Sequence, residues 1–186
     1  MNVEIQRIAA APIRKTLRVK ASKEKAFEVF MAGMGRWWPK SHSLLKSPQR
    51  DVVVEPRAGG RWYEVGEDGS EYEWGRVIEW AAPERALLAW QLTGEWAYDP
   101  DFVTEVEIVF RADGDHTIVE FEHRKLEAFE RTARDGHLMG MDEGWGAILE
   151  GYRAEVEQDQ SPPSSRRKPE SANPAGKPAT PLFPPQ

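Results

Sequence analysis

From Asp51 to His123 apolar and polar residues alternate in a series of short segments, and the gaps between those segments leave room for one topology. The alternating stretches are residues 52–55, 61–65, 71–81, 86–92, 103–110 and 117–123, the two-residue period of half-buried strands. Between them stand turn signals: Pro56-Arg57-Ala58-Gly59, Asp68-Gly69, Pro83-Glu84-Arg85 and Asp113-Gly114-Asp115. A parallel crossover needs about a dozen residues or more, so these strands must form an antiparallel meander. A further alternating stretch at residues 13–19 brings the sheet to about six to seven strands. Val106, Ile108 and Phe110 alternate with Glu105 and Glu107, and Val119 and Phe121 with Glu120 and Glu122. One face is therefore apolar and needs a cover.

The cover predicted by the pattern is a helix over residues 136–156. Met141, Trp145, Ile148, Tyr152 and Val156 recur at steps of four, three, four and four, one apolar stripe along a helix. Gly136, Gly140 and Gly144 form a second row at i, i+4, i+8, although each glycine costs about 1 kcal/mol relative to alanine. Either the sheet packs tightly against that row, or the missing side chains leave room for a ligand beside Met141 and Trp145. Near the other end, Ser22 caps a helix over residues 22–31 with Ala26, Phe27, Phe30 and Met31 on one face. Gly33 and Gly35 interrupt it, and Pro39 ends a second short helix after Trp37-Trp38. Adjacent helical residues point about 100° apart, so the two tryptophans cannot face one core together, and one is expected to line a rim or pocket. The fold class is α+β: two short helices after the first strand, an antiparallel sheet, and a long C-terminal helix against it.

Composition narrows the functional classes. The net charge is −6, and no run of Lys and Arg in the patterned region makes a nucleic-acid footprint. Without cysteine there are no disulfides and no thiol chemistry, and a cytoplasmic location is expected. No segment reaches the ~18 apolar residues of a membrane span, and residues 8–13 are too short for a signal peptide. Residues 1–11 read as an extension and 12–158 as one domain. Residues 159–186 hold eight of the fourteen prolines and read as a disordered tail.

Seven of the eight tryptophans lie between Trp37 and Trp96, and the eighth is Trp145 on the long helix. They read either as core or as the wall of an aromatic cavity. Candidate cavity-lining residues are Trp38, Trp62, Tyr72, Trp74, Arg76, Trp90, Phe121, His123, Met141 and Trp145. Arg76 shares strand parity with Tyr72, Trp74, Ile78 and Trp80; pointing inward it would partner an anionic or carbonyl group, whereas a β-bulge at Gly75 would turn it outward. His123 is aimed at the interior by alternation with Val119 and Phe121. It reads as a ligand-orienting or acid–base group, or as a core histidine bonded to backbone. Ser41-His42-Ser43 is not read as a nucleophile constellation, since sequence neighbours are not expected to face each other and no carboxylate is placed to orient the base. The histidines show no metal-ligand spacing, and Gly59-Gly60 leads into a strand rather than a phosphate-binding helix. No catalytic residue, metal or cofactor is assigned.

Trp37-Trp38-Pro39, residues 55–62 (EPRAGGRW), residues 74–83 (WGRVIEWAAP), Trp90, Thr104-Glu105-Val106, the stretch from Thr117-Ile118-Val119 to His123, and Gly144-Trp145, in that order, resemble the SRPBCC (START/Bet v 1-like) superfamily. Within it the group similar to the C-terminal domain of the activator of Hsp90 ATPase is nearest, over residues 12–156. The resemblance implies a helix-grip fold, a curved antiparallel sheet wrapped around the long C-terminal helix with a cavity between them. On that scaffold the tryptophan set and the glycine row favour non-catalytic binding of a small hydrophobic or aromatic molecule in the cavity; the alternatives are a chaperone-associated interaction module similar to the Hsp90 activator domain, and a cyclase or hydrolase acting in the cavity.

Overall fold

A computed structural model describes residues 10–131 and 137–159, the backbone alone at 130, 131 and 137–139. Seven strands, β1 (Ile13–Val19), β2 (Gln49–Val54), β3 (Arg61–Gly66), β4 (Glu71–Ala81), β5 (Arg85–Trp90), β6 (Thr104–Asp113) and β7 (His116–Arg124), form one sheet in the order β1-β7-β6-β5-β4-β3-β2. Every pairing is antiparallel. The meander runs through β2 to β7, and β1 closes its far edge with Leu17 opposite Val119 and Ile13 opposite His123. Gly69 and Gly114 occupy the turns at positive φ, 82° and 63°, where a Cβ would be strained.

Two helices follow β1: α1 (Lys23–Met31), whose N-cap Ser22 accepts from the Lys25 amide at 3.2 Å, and the single turn α2 (Met34–Trp37). A 3-10 turn spans Lys40–His42 and another Leu126–Arg131. The helix α3 (His137–Gln158) lies against the concave face, and its stripe is buried as the spacing demanded: Met141, Trp145, Ile148, Tyr152 and Val156 are all under 9% exposed. Gly136 lies outside the described residues, as do 1–9 and 160–186, where most of the expected tail falls. Asp159, its first residue, is part of the described structure: its amide donates to Glu155 O, and its carboxylate meets Lys25 Nζ at 2.9 Å and Arg36 at 3.3 Å. No described helix is long and apolar enough to cross a membrane.

Strand β4 departs from simple alternation. Its register against β3 shifts around Trp74, and its register against β5 shifts at Ile78. Each shift is a one-residue bulge that inverts which side chains face the core. Between the two, Val77 is buried while Arg76 and Ile78 face outward, and after the second Trp80 turns back to pack on Phe27 at 5.1 Å. Gly75 is obligatory there, because a Cβ would sit 1.7 Å from the Ala89 carbonyl oxygen.

Trp37 and Trp38 are both buried, at 6% and 5%, contrary to the helical-angle argument. The helix stops at Trp37 and Trp38 is extended, φ −66° and ψ 131°, so the two rings enter different parts of one core. Trp37 packs on Phe30 and Tyr152 and donates from Nε1 to Val29 O at 2.9 Å. Trp38 packs on Trp74 and Trp145. The convex face carries interleaved ion pairs, such as Arg124 with Glu105 at 2.8 Å and Arg14 with Glu122 at 2.6 Å, which keep it in water and each contribute little to stability.

Candidate functional site

Between the N-terminal half of α3 and the β4–β5 part of the sheet lies a pocket of about 470 Å³. Its walls are Trp74 on β4, Trp90 on β5, Leu92 and Trp96 beyond it, Trp38, Ser41, His42, Ser43 and Leu44 between α2 and β2, and Gly140, Met141, Gly144, Trp145 and Ile148 on α3. The glycine row keeps it open. Among the described residues a Cβ at Gly140 or Gly144 would meet nothing within 4 Å, whereas one at Gly151 on the same helix would lie 3.1 Å from Trp37 O.

The tryptophans form one connected set. Trp38 stands 4.7 Å from Trp74 and 5.9 Å from Trp145; Trp90 stands 5.6 Å from Trp145, 5.6 Å from Trp62 and 6.3 Å from Trp96. Most contacts are edge-to-face, the arrangement ring quadrupoles favour. Interlocked bulky rings cannot collapse into the space beside the glycines without giving up those contacts.

His123 sits behind this wall, fully buried. The Trp145 indole N–H, a donor only, bonds to His123 Nδ1 at 3.1 Å. The ring proton is therefore on Nε2, which donates to Thr104 Oγ1 at 2.8 Å, and that hydroxyl donates to Trp90 O at 3.4 Å. Burial pushes the His123 pKa down to about 3. It is a neutral core histidine bonded to side chains, with both nitrogens engaged, and it holds two pocket tryptophans in place.

Of the ten candidate residues, Trp38, Trp74, Trp90, Met141 and Trp145 line the pocket. Trp62, Phe121 and His123 form a layer behind it, Phe121 at 4.5 Å from the Trp145 ring and Trp62 at 5.7 Å from Trp74. Tyr72 bonds through its hydroxyl to Trp96 O and the Tyr98 amide, bracing the loop that carries Trp96. Arg76 is outside the site: the bulges on β4 turn it outward, where its side chain is 41% exposed and pairs with Glu73 at 2.5 Å.

Sequence reasoning passed over the segment 41–44, which forms the pocket's polar rim. Ser41 Oγ and His42 Nδ1 are hydrogen-bonded at 3.0 Å, so these sequence neighbours do face each other on the 3-10 turn. It also passed over Glu64, which is completely buried on β3. Glu64 Oε1 accepts from the Leu44 amide at 2.7 Å and the Trp74 indole at 3.3 Å; Oε2 accepts from Ser43 Oγ at 2.7 Å and Gln49 Nε2 at 2.9 Å. A signal was present, since Glu64 shares strand parity with Trp62. Among the described residues there is no group of three or more His, Cys, Asp or Glu suited to a metal ion.

A family model described as "Activator of Hsp90 ATPase homolog 1-like protein" matches residues 20–157. No curated protein matches the chain in sequence. Among solved structures the chain is similar to Txn09, an anthrahydroquino-gamma-pyrone synthase complexed with SUM, at 35% identity over 80% of this chain and 97% of that chain, TM-score 0.56. It is similar also to CalC from Micromonospora echinospora, a self-sacrificing resistance protein, at 31% identity over 78% of this chain and 94% of that one, TM-score 0.59. The Aha1 dimer from Colwellia psychrerythraea shares the fold, at 15% identity over 82% of this chain and 100% of that one, TM-score 0.57.

Proposed function

This chain belongs to the activator of Hsp90 ATPase homolog 1-like family, and from that premise we propose that it binds a planar, largely apolar aromatic molecule in the pocket between the sheet and α3. The observation that carries this reading is the open space of about 470 Å³ walled by Trp38, Trp74, Trp90, Trp96 and Trp145 beside two glycines with nothing near their Cβ positions among the described residues. Its size suits a small molecule of several fused rings, and flat rings stack well on indoles. The resemblance to a synthase named for an anthrahydroquino-gamma-pyrone supports a fused-ring ligand. The reading is binding without catalysis: His123, behind the pocket wall, is neutral with both ring nitrogens hydrogen-bonded, and the Ser41–His42 pair at the rim has no carboxylate bonded to it among the described residues. Its setting is cytoplasmic, and a chaperone partnership rests on the family's description alone.

Titration with 2-methylnaphthalene or anthraquinone, followed by tryptophan fluorescence and calorimetry, tests it. The wild type is expected to bind with its emission altered, and Gly144→Leu to lose binding while its urea midpoint holds or rises. A wild type that binds neither probe, with Gly144→Leu strongly destabilised, ends this reading. Recovery of a chaperone from lysate by an apo protein indifferent to both probes would favour the interaction module instead.

A further inference from the structure

The polar side chains of the pocket wall come from one segment, Ser41, His42 and Ser43; everything else there is aromatic, aliphatic or glycine. Ser43 Oγ is committed to Glu64. Ser41 Oγ and His42 Nδ1 satisfy each other, and His42 Nε2 has no hydrogen-bond partner among the described residues. The pocket thus has a polar pole at its rim and an otherwise aromatic wall. That pole sits on a 3-10 turn, a weak local structure, yet its position is fixed from behind. Three of the four donors to the Glu64 carboxylate, Ser43, Leu44 and Trp74, are themselves wall residues. Glu64 ties the rim segment to β4 and touches no ligand space itself.

Resting on the binding reading above, we infer that the pocket takes its aromatic ligand with a hydroxyl- or carbonyl-bearing edge against Ser41 and His42, and that Glu64 is the positioning residue that holds this edge in register with the tryptophan wall. The ligand class is an oxygenated fused-ring aromatic, a naphthol or hydroxyquinone rather than a plain hydrocarbon. A buried carboxylate with two donors on each oxygen suits the role. Removing its charge leaves four donors competing for one amide oxygen, and the amide's own hydrogens meet donors rather than acceptors.

The test compares 2-naphthol with 2-methylnaphthalene, nearly isosteric probes, by calorimetry on the full chain. The wild type is expected to prefer 2-naphthol by about three- to tenfold, the scale of one net hydrogen bond. Ser41→Ala/His42→Ala is expected to abolish that preference, read as the ratio of the two affinities. Glu64→Gln is expected to abolish it as well, with urea unfolding still cooperative. If neither probe binds, the pocket reading falls and this inference with it. If both bind equally to wild type, the pocket stands and the polar edge is overturned. A Glu64→Gln protein that keeps the preference overturns the role of Glu64. Should Glu64→Gln not fold, Gln49→Ala decides, because it removes one donor from outside the pocket: a weakened preference supports the role and an unchanged one overturns it.

Discussion

The two halves of α3 are equally aromatic in their surroundings and opposite in their packing. Around Tyr152 the rings of Phe30 and Trp37 close in at 4.8 Å and 5.4 Å, the hydroxyl donates to Ala26 O at 2.8 Å, and a Cβ at Gly151 would be crowded by the Trp37 carbonyl oxygen. Two turns earlier Trp145 meets Trp38, Trp90 and Phe121, while Gly140 and Gly144 line the pocket with nothing within 4 Å of their Cβ positions among the described residues. A tryptophan count cannot tell these ends apart, since the same rings fill a core or wall a pocket. The difference lies in whether the neighbouring glycines have anything to touch.

Truncation should expose the contrast most strongly. Tyr152→Ala opens a closed cavity and removes the hydroxyl's bond to the Ala26 carbonyl, and is expected to cost about 3 to 5 kcal/mol in urea unfolding. Trp145→Ala enlarges a space that is already open, so it should fall near the lower end of that range, about 3 kcal/mol, although the ring is larger. If Trp145→Ala costs clearly more than Tyr152→Ala, the pocket end is as tightly packed as the other.

The layer behind the pocket can be tested through acidity. His123 is held neutral in the fold with its pKa near 3, against about 6.5 when unfolded. Below pH 6.5 the unfolded chain therefore binds a proton that the fold does not. The corresponding stability is fully present above pH 6.5 and declines as pH falls toward 3, by roughly 1 kcal/mol per unit. His123→Gln, which keeps an acceptor for Trp145 and a donor for Thr104, should remove this slope, read as the wild-type minus variant difference in urea stability between pH 7 and 4.5. A constant difference would mean that water reaches the histidine through the tryptophan wall.

Much of the architecture was legible because it rests on periodicity. The alternation of β6 and β7, the turn glycines and the 4-3-4-4 stripe of α3 each follow from backbone geometry and survive in the structure. The site was legible where it lies on those elements, as at Trp74, Trp90, Met141 and Trp145. It was illegible where geometry breaks from period: the paired bulges that turned Arg76 out, the helix end that let Trp38 swing away from Trp37, and the rim at Ser41 and His42, which has no period at all. Glu64 was hidden differently. Alternation put it inside, but its four donors come from β2, β4 and the rim segment, distant in sequence and meeting only once the sheet curls.

The smallest effect is the sharpest test of the two-ended helix, because it uses one chemical change at two places. Replacing a helical glycine by alanine in an unhindered position stabilises by up to about 1 kcal/mol, through the backbone freedom removed from the unfolded chain. Gly140 has that freedom, since its Cβ would touch nothing within 4 Å among the described residues, so Gly140→Ala should raise the urea midpoint by close to the full amount. At Gly151 the same methyl would sit 3.1 Å from Trp37 O, closer than ordinary van der Waals contact. Relief there requires α2 to shift, and α2 also anchors Trp38 through the chain. Gly151→Ala should therefore gain nothing or lose a few tenths of a kcal/mol. Equal gains at both positions would mean that α3 stands off from α2 as it does from the pocket, and the distinction between a packed end and an open end would not hold.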